Sequence, residues 1–422
     1  MKPTLPLFIL ALCVYTLSFA QLPDALQAQL EEVLTNIHDQ SGAIGLSVAI
    51  HSSNGEWAST AGYSSMVEEL TNSHPFAMGS VSKTIISAVI LDMEEEGLLR
   101  LNDPIADYID EFEYVNPDIT IRQLLNHTSG IYNYTQHPSF FGDVFDDPSN
   151  IIEPETILDT YVNSPFFEPG VAWSYSNTNY VVLGMIIESI SGQAHYKEAR
   201  KRFDFDNRYP SMNMPPHESA TTDLANLWID TSSVGATQVD VEAIDLSMDA
   251  MFSAAGAAGA YVSVPADLAK WAYDLYGGEW LSSKTMNDLL TVQLPSINYG
   301  LGVIVATVPC GQEVSGHSGN IFYTTSTFYD PINEIAVSAH SNDSQRGGSA
   351  VELLVAELIC EYSEFLATST EELVAPEELF TVFPNPFSQD CQVQYELSTS
   401  NPVQIQLFDE LGQLLISEQW AN

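Results

Sequence analysis

Ser80 and Lys83 stand three residues apart in "FAMGSVSKTIISAVILDMEEEGLL", where a polar knot opens an apolar helical run. At that spacing a helix carries both side chains on one face. Its first turn adds free backbone N–H groups and a positive dipole end, which together favour an alkoxide. A serine is a weak nucleophile at its free pKa and needs a neighbouring base. A lysine becomes that base where burial drives the amine below its reference value of about 10.4. The bland alternative makes Ser80 an N-cap and Lys83 an exposed first-turn residue. Against it, Val81, Ile85 and Ile86 surround Lys83 with apolar character, where an unpaired ammonium is costly. No other Ser-x-x-Lys occurs in the chain.

A second polar cluster lies in "EPGVAWSYSNTNYVVLGMIIESISG", where Tyr175 and Asn177 follow a Pro-Gly turn and precede a helical run. A tyrosinate here can exchange protons with Ser80 or a leaving group, and the Asn177 amide can hold a substrate carbonyl. Tyr114-Val115-Asn116 and Tyr161-Val162-Asn163 share the triplet but read as turn or core residues. The third cluster is "VSGHSGNIFYTTSTFYD", where His317, Ser318 and Gly319 enter a strand. Gly319 permits close backbone approach, so a following N–H can join the Ser80 N–H around an oxyanion. The remaining histidines form no HExxH cluster. Neither a metal nor a cofactor is expected.

The elements that must position these residues are legible in outline. "PDALQAQLEEVLTNIHDQ" has helical spacing of Leu26, Leu30, Val33, Leu34 and Ile37. "AIGLSVAIHS" and "GEWASTAGYS" read as strands joined through Asn54-Gly55, a hairpin signal. The helix bearing Lys83 should stop at Gly97. Residues 102–278 break into short helices, and "YGLGVIVATV", "FYTTSTFYD" and "EIAVSAHS" then read as strands before a closing helix, "SAVELLVAELICEYSEFL". The expected fold class is α+β: one antiparallel sheet built from both ends of the chain, flanked by terminal helices, beside an all-α lobe. A cleft between the lobes is the natural ligand site. After residue 366 the composition turns acidic and Pro-rich, predicting a linker over 367–382 and a short β-rich tail over 383–422.

Composition narrows the partners. Twelve Lys and Arg against 56 Asp and Glu leave a net charge of −44. Such a surface repels nucleic acid and anionic lipid. The start, "MKPTLPLFILALCVYTLSFAQ", has the form of a signal peptide over 1–20, cleaved after Ala20. Export to the periplasm, cell surface or medium is therefore expected, without stable membrane insertion. Removal of Cys13 leaves Cys310, Cys360 and Cys391, and an oxidising compartment permits a Cys310–Cys360 bridge.

In this order and spacing the three clusters resemble the serine β-lactamase, D-Ala-D-Ala carboxypeptidase and esterase family, with its Ser-x-x-Lys, Tyr-x-Asn and Lys-Thr-Gly or His-x-Gly elements. The likeness extends to "ITIRQLLNHTSGI", "AAGAYVSVPADLAKWAYDL" and "YGLGV", across about residues 24–365. It implies a β-lactamase-like catalytic domain over 21–366, acylated at Ser80. Lys83 would be the nearby base and Tyr175 the proton shuttle. Asn177, His317, Ser318, Gly319 and Asn320 would contact substrate, with the Ser80 and Asn320 amides as oxyanion donors. His127 in "LLNHTSG" fits a family pattern and is read as structural.

Three departures shape the functional expectation. His317 stands where typical β-lactamases carry lysine, and a neutral imidazole attracts a carboxylate poorly. That favours an esterase or D-amino-acid peptidase over a β-lactamase; a non-catalytic cell-wall peptide binder is the rival from another class. Residues 197–235 match no family pattern and are candidates for the pocket wall. "FPNPFSQD…VQIQLFDELGQLL" is similar to the C-terminal sorting domains of the type IX secretion system, which implies secretion machinery as a partner; those domains normally run on through further strand.

Overall fold

A computed structural model describes residues 21–219, 222–229, 239–240, 247–292 and 296–371, and the strands Phe380–Phe383, Gln392–Tyr395, Val403–Phe408 and Leu414–Trp420. The proposed signal peptide and residues 372–379 of the proposed linker lie outside the described residues, while 367–371 continue the closing helix and 380–382 belong to a strand rather than a linker. The chain divides into two compact units, Met1–Ser363 and Glu364–Asn422.

In the first unit, helix α1 (Asp24–Ser41) buries Leu26, Leu30, Leu34 and Ile37 on one face and ends on left-handed Gly42. Val33, which the spacing places on that face, is half-buried. Strands β1 (Gly45–Ser52) and β2 (Gly55–Gly62) follow as a hairpin. Ser52 pairs with Gly55, so the loop is Ser53-Asn54, one residue earlier than the expected Asn54-Gly55 turn. Gly55, at φ 142°, is instead the first paired residue of β2.

The rest of the sheet comes from the far end of the chain: β3 (Ile304–Thr307), β4 (Glu313–Ile321), β5 (Tyr323–Asp330) and β6 (Ile335–Ser341). All pairs are antiparallel, in the order β2-β1-β6-β5-β4-β3. β1, β5 and β6 are buried along their whole length, because helices cover both faces. Helix α6 (Gly347–Glu371) buries Leu354, Leu358 and Tyr362. The Tyr362 hydroxyl donates to Ser52 Oγ at 3.1 Å. A Cys310–Cys360 disulfide ties the turn between β3 and β4 to this helix.

Beside the sheet, α2 (Ser82–Glu95), α3 (Thr178–Ser191) and α4 (Asp249–Gly259) pack together in the helical lobe, whereas α5 (Pro265–Tyr276), from the stretch of short helices that ends at residue 278, packs on β1, β5 and β6 of the sheet instead. Every α2 residue from Ser82 to Leu91 is buried. A helix apolar on nearly all sides belongs in a core rather than at a surface. It ends before Gly97, whose φ of 74° is the left-handed exit that the sequence predicts. The segment that matches no family pattern forms helix His195–Arg202 and a short turn, clamped by ion pairs. Arg200 bonds Glu218 at 2.8 Å and Arg202 bonds Glu198 at 2.6 Å and Glu96 at 2.9 Å. Its role here is to brace the lobe, and none of its described residues borders the cavity beside Ser80.

In the second unit, Phe380–Phe383 pairs with Gln392–Tyr395 and Val403–Phe408 pairs with Leu414–Trp420, both antiparallel.

Candidate active site

A 3-10 turn, Gly79–Val81, feeds directly into α2, so Ser80 precedes the α-helix that holds Lys83. No side-chain cap closes the start of α2, so Ser80 is free of the N-cap duty that the bland reading gave it. Gly79 adopts φ 51°, and a Cβ there would lie 2.6 Å from Asn320 N. Across the contact, a Cβ on Gly319 would lie 2.7 Å from Ser80 N and 2.0 Å from Met78 O. Only paired glycines allow β4 to press this closely on the serine turn, and the contact brings the Ser80 and Asn320 backbones together.

Lys83 is wholly buried. Its Nζ lies 3.0 Å from Ser80 Oγ, 2.8 Å from Asn177 Oδ1 and 2.6 Å from the Ala258 carbonyl oxygen. All three partners are neutral. Asn177 Oδ1 and the carbonyl only accept, so a neutral amine can donate to both and accept the Ser80 proton on its lone pair. Burial holds the Lys83 pKa well below its ordinary value. The Ala258 carbonyl is available because α4 ends one residue later, leaving its last carbonyls without helical partners.

Tyr175 flanks this pair, with Lys83 Nζ 5.1 Å from its ring centre. Its hydroxyl is sealed from solvent and near enough to Ser80 to be influenced by it, yet no hydrogen bond of ordinary geometry joins them. Burial pushes its pKa up, opposed by Ser80, so the group stands as a phenol rather than the expected tyrosinate. Asn177 donates its amide Nδ2–H to Thr135 Oγ1 at 3.4 Å and borders the cavity. The other two Tyr-x-Asn triplets lie elsewhere; the Tyr161 hydroxyl, for example, donates to Asp143 at 3.2 Å.

The third cluster divides between the faces of β4, as strand alternation requires. Gly319 packs on the serine turn, and His317 faces the same lobe but is buried and does not border the cavity. Both of its ring nitrogens are engaged, at 2.6 Å to the Ser318 carbonyl and 3.0 Å to the Tyr299 hydroxyl. Burial and then the nearby Lys83 push its pKa down to about 3. Ser318 points the other way, 3.2 Å from Ser326 Oγ, into a separate hollow shared with Glu352 of α6. Neither side chain is placed to touch a substrate in this cavity. Asn320 borders it, and its Oδ1 accepts the Phe322 N–H at 3.1 Å.

Tyr299, to which the sequence analysis gave no role, joins two histidines. Its hydroxyl lies 3.3 Å from His127 Nε2 as well as 3.0 Å from His317 Nε2. His127 Nδ1 accepts the Ser176 N–H at 3.2 Å, so its proton sits on Nε2 and points at Tyr299. His317 Nδ1 must donate to a carbonyl, so its Nε2 accepts from Tyr299. The chain of bonds runs one way, from His127 through Tyr299 to His317, and fixes both imidazoles neutral. A capping box at Thr120 and Gln123 starts the short helix that delivers His127, itself held at φ 61°. The His127 ring lies tilted against that of Tyr175, their centres 4.2 Å apart, so the relay also backs the phenol.

This fold and this constellation are of the serine penicillin-recognising type. Residues 28–359 match the Beta-lactamase family, and the chain belongs to it. It is 37% identical over 139 residues to penicillin-binding protein 4* of Bacillus subtilis and 34% identical over 120 residues to that organism's putative penicillin-binding protein PbpX. The first stretch covers 32% of this chain and 30% of the relative, the second 28% of each. The chain thus matches about three tenths of the length of these curated relatives. Among solved structures, a D-stereospecific amidohydrolase from Streptomyces sp. superposes with a TM-score of 0.70 at 28% identity, over 80% of this chain and 99% of that one. The D-amino acid amidase of Ochrobactrum anthropi SV3, complexed with L-phenylalanine amide, shares the fold with a TM-score of 0.67 at 23% identity, over 82% and 100%.

Proposed function

We propose that the protein hydrolyses an ester or a D-amino-acid amide through an acyl-enzyme on Ser80. The observation that carries this reading is the Lys83 amine, sealed from water 3.0 Å from the Ser80 hydroxyl with neutral partners. The Ser80 proton passes to the Lys83 lone pair while Oγ attacks the substrate carbonyl. The developing oxyanion lies between the Ser80 and Asn320 amides. The proton returns to the leaving group by way of the Tyr175 phenol, and Asn177 uses its second amide hydrogen to orient the substrate. Water enters by the same route in reverse and releases the acid. The D-stereospecific amidohydrolase and D-amino acid amidase neighbours support the amide half of this reading, and the uncharged His317 speaks against an efficient β-lactamase.

A fluorophosphonate probe should label Ser80. Ser80→Ala should abolish labelling and the turnover of p-nitrophenyl esters or D-alanyl amides. Full hydrolysis by Ser80→Ala would end the acyl-enzyme reading, and cephalosporin turnover as fast as ester turnover would reverse the substrate ranking. Export belongs to the same proposal; N-terminal sequencing of extracellular protein that begins before Gln21 would count against cleavage after Ala20.

A further inference from the structure

The cavity beside Ser80 has a volume of about 150 Å³. An apolar cavity of about that size accommodates a benzene ring. Tyr134, Phe140, Phe141 and Met251 wall it from the helical lobe and Ile321 and Phe322 from the sheet. Among the described residues its lining contains no Lys, Arg, Asp or Glu. Of the 12 Lys and Arg in the chain, only Lys2 lies outside the described residues. Arg122, Arg200, Arg202, Arg208 and Lys270 are held by carboxylates elsewhere. A substrate carboxylate would therefore meet no counter-charge in the cavity, inside a molecule of net charge −44.

Phe322 is the second observation. It is the single residue between β4 and β5, across which Ile321 pairs with Tyr323. Its φ is 67°, a left-handed conformation that glycine adopts freely and a bulky side chain rarely does. Strain of this kind persists where a side chain is needed, and here it delivers an aromatic ring to the cavity wall. The ring meets Phe145 of the helical lobe at 5.9 Å, so the pair spans the two sides of the site.

The geometry points to a substrate that bears no carboxylate and presents an aromatic ring to this cavity, with Phe322 as the specificity-determining residue. This rests on the acyl-enzyme reading above. The test compares kcat/KM for methyl phenylacetate, benzyl acetate, methyl acetate and monomethyl succinate, with fluorophosphonate labelling of Ser80 in parallel. At least one ring-bearing ester should exceed methyl acetate by about tenfold or more, and monomethyl succinate should fall below methyl acetate. In Phe322→Gly, which suits the left-handed turn, the ring-to-methyl ratio should drop at least fivefold, on the order of the loss of one apolar contact, while Tm holds or rises. Labelled, active enzyme with no ring preference, with a preference for the succinate, or with the ratio intact in Phe322→Gly would overturn the inference and leave the hydrolase reading standing. Absence of both labelling and turnover would sink the hydrolase reading, and this inference with it.

Discussion

Replacing Lys83 with methionine separates what this side chain does for catalysis from what it does for folding. In the unfolded chain the amine holds its proton up to about pH 10.4. In the folded chain burial lowers its pKa well below that. Between the two values the unfolded state binds one more proton, so this residue's contribution to stability rises with pH, by about 1.4 kcal/mol per unit. At pH 8 taking the proton from an amine of ordinary pKa costs about 3 kcal/mol. Its contacts to Ser80, Asn177 and Ala258 offset about 1 kcal/mol each. The two terms nearly cancel, so Lys83→Met should match the parent in stability at pH 8 and surpass it below. Urea denaturation of both proteins at pH 8.0 and 9.5 should show their difference moving about 2 kcal/mol in the parent's favour, since all other titrations cancel. Meanwhile kcat should fall by about 10² to 10⁴, the worth of a general base. A stability difference that stays flat over that range would mean Lys83 is charged in the folded protein, and its assignment as a base would fail.

Other parts of the molecule yield sharper, smaller tests. Tyr299→Phe leaves Nε2 of both His127 and His317 without its hydroxyl partner, which should cost roughly 2–4 kcal/mol in urea denaturation, with a smaller loss of kcat than in Lys83→Met. His340 is buried, bonded to Ser338 Oγ at 2.8 Å, and pushed down to about 3 by burial. Its folded pKa lies below the unfolded one, so stability is complete above about pH 6.5 and drains away as pH falls towards 3; relative to His340→Gln the parent should lose about 2 kcal/mol between pH 6.5 and 5.0. The Cys310–Cys360 bridge closes a separation of 50 residues. By loop entropy its reduction should lower stability by about 4 kcal/mol, read as a shift in denaturant midpoint, while Ser80 remains open to a fluorophosphonate.

The parts of this site that were legible in the sequence are those whose signal is local. Ser80 and Lys83 announce themselves by spacing and apolar neighbours, and the two-ended sheet by strand-like segments near both ends of the catalytic region. What was hidden has no local signal. The Ala258 carbonyl is a backbone acceptor, supplied by where α4 happens to end. Tyr299 meets His127 from 172 residues away, a distance over which composition says nothing. The division of His317 and Ser318 between opposite faces follows from strand alternation and was open to inference from sequence. Treating the triplet as a unit, as a family resemblance invites, obscured it.

The sequence also posed a contest that the structure decides. A chain of net charge −44 should favour a protonated lysine, and so should the carbonyl end of α4, to which Lys83 donates. Distant acids count for little, because charges beyond about 8 Å are largely screened at physiological salt. A helix end contributes about 0.3–2 kcal/mol to a nearby cation. Burying an ion costs several kcal/mol even after relaxation, and no carboxylate stands among the partners of Lys83 to offset it. The local term wins, and the amine's pKa is driven down. It follows that a carboxylate placed beside this amine should do what the forty-four surplus charges of the surface do not: Asn177→Asp, which sets a carboxylate oxygen where Oδ1 now lies 2.8 Å from Nζ, should restore the charge on Lys83 and silence Ser80, read as loss of fluorophosphonate labelling.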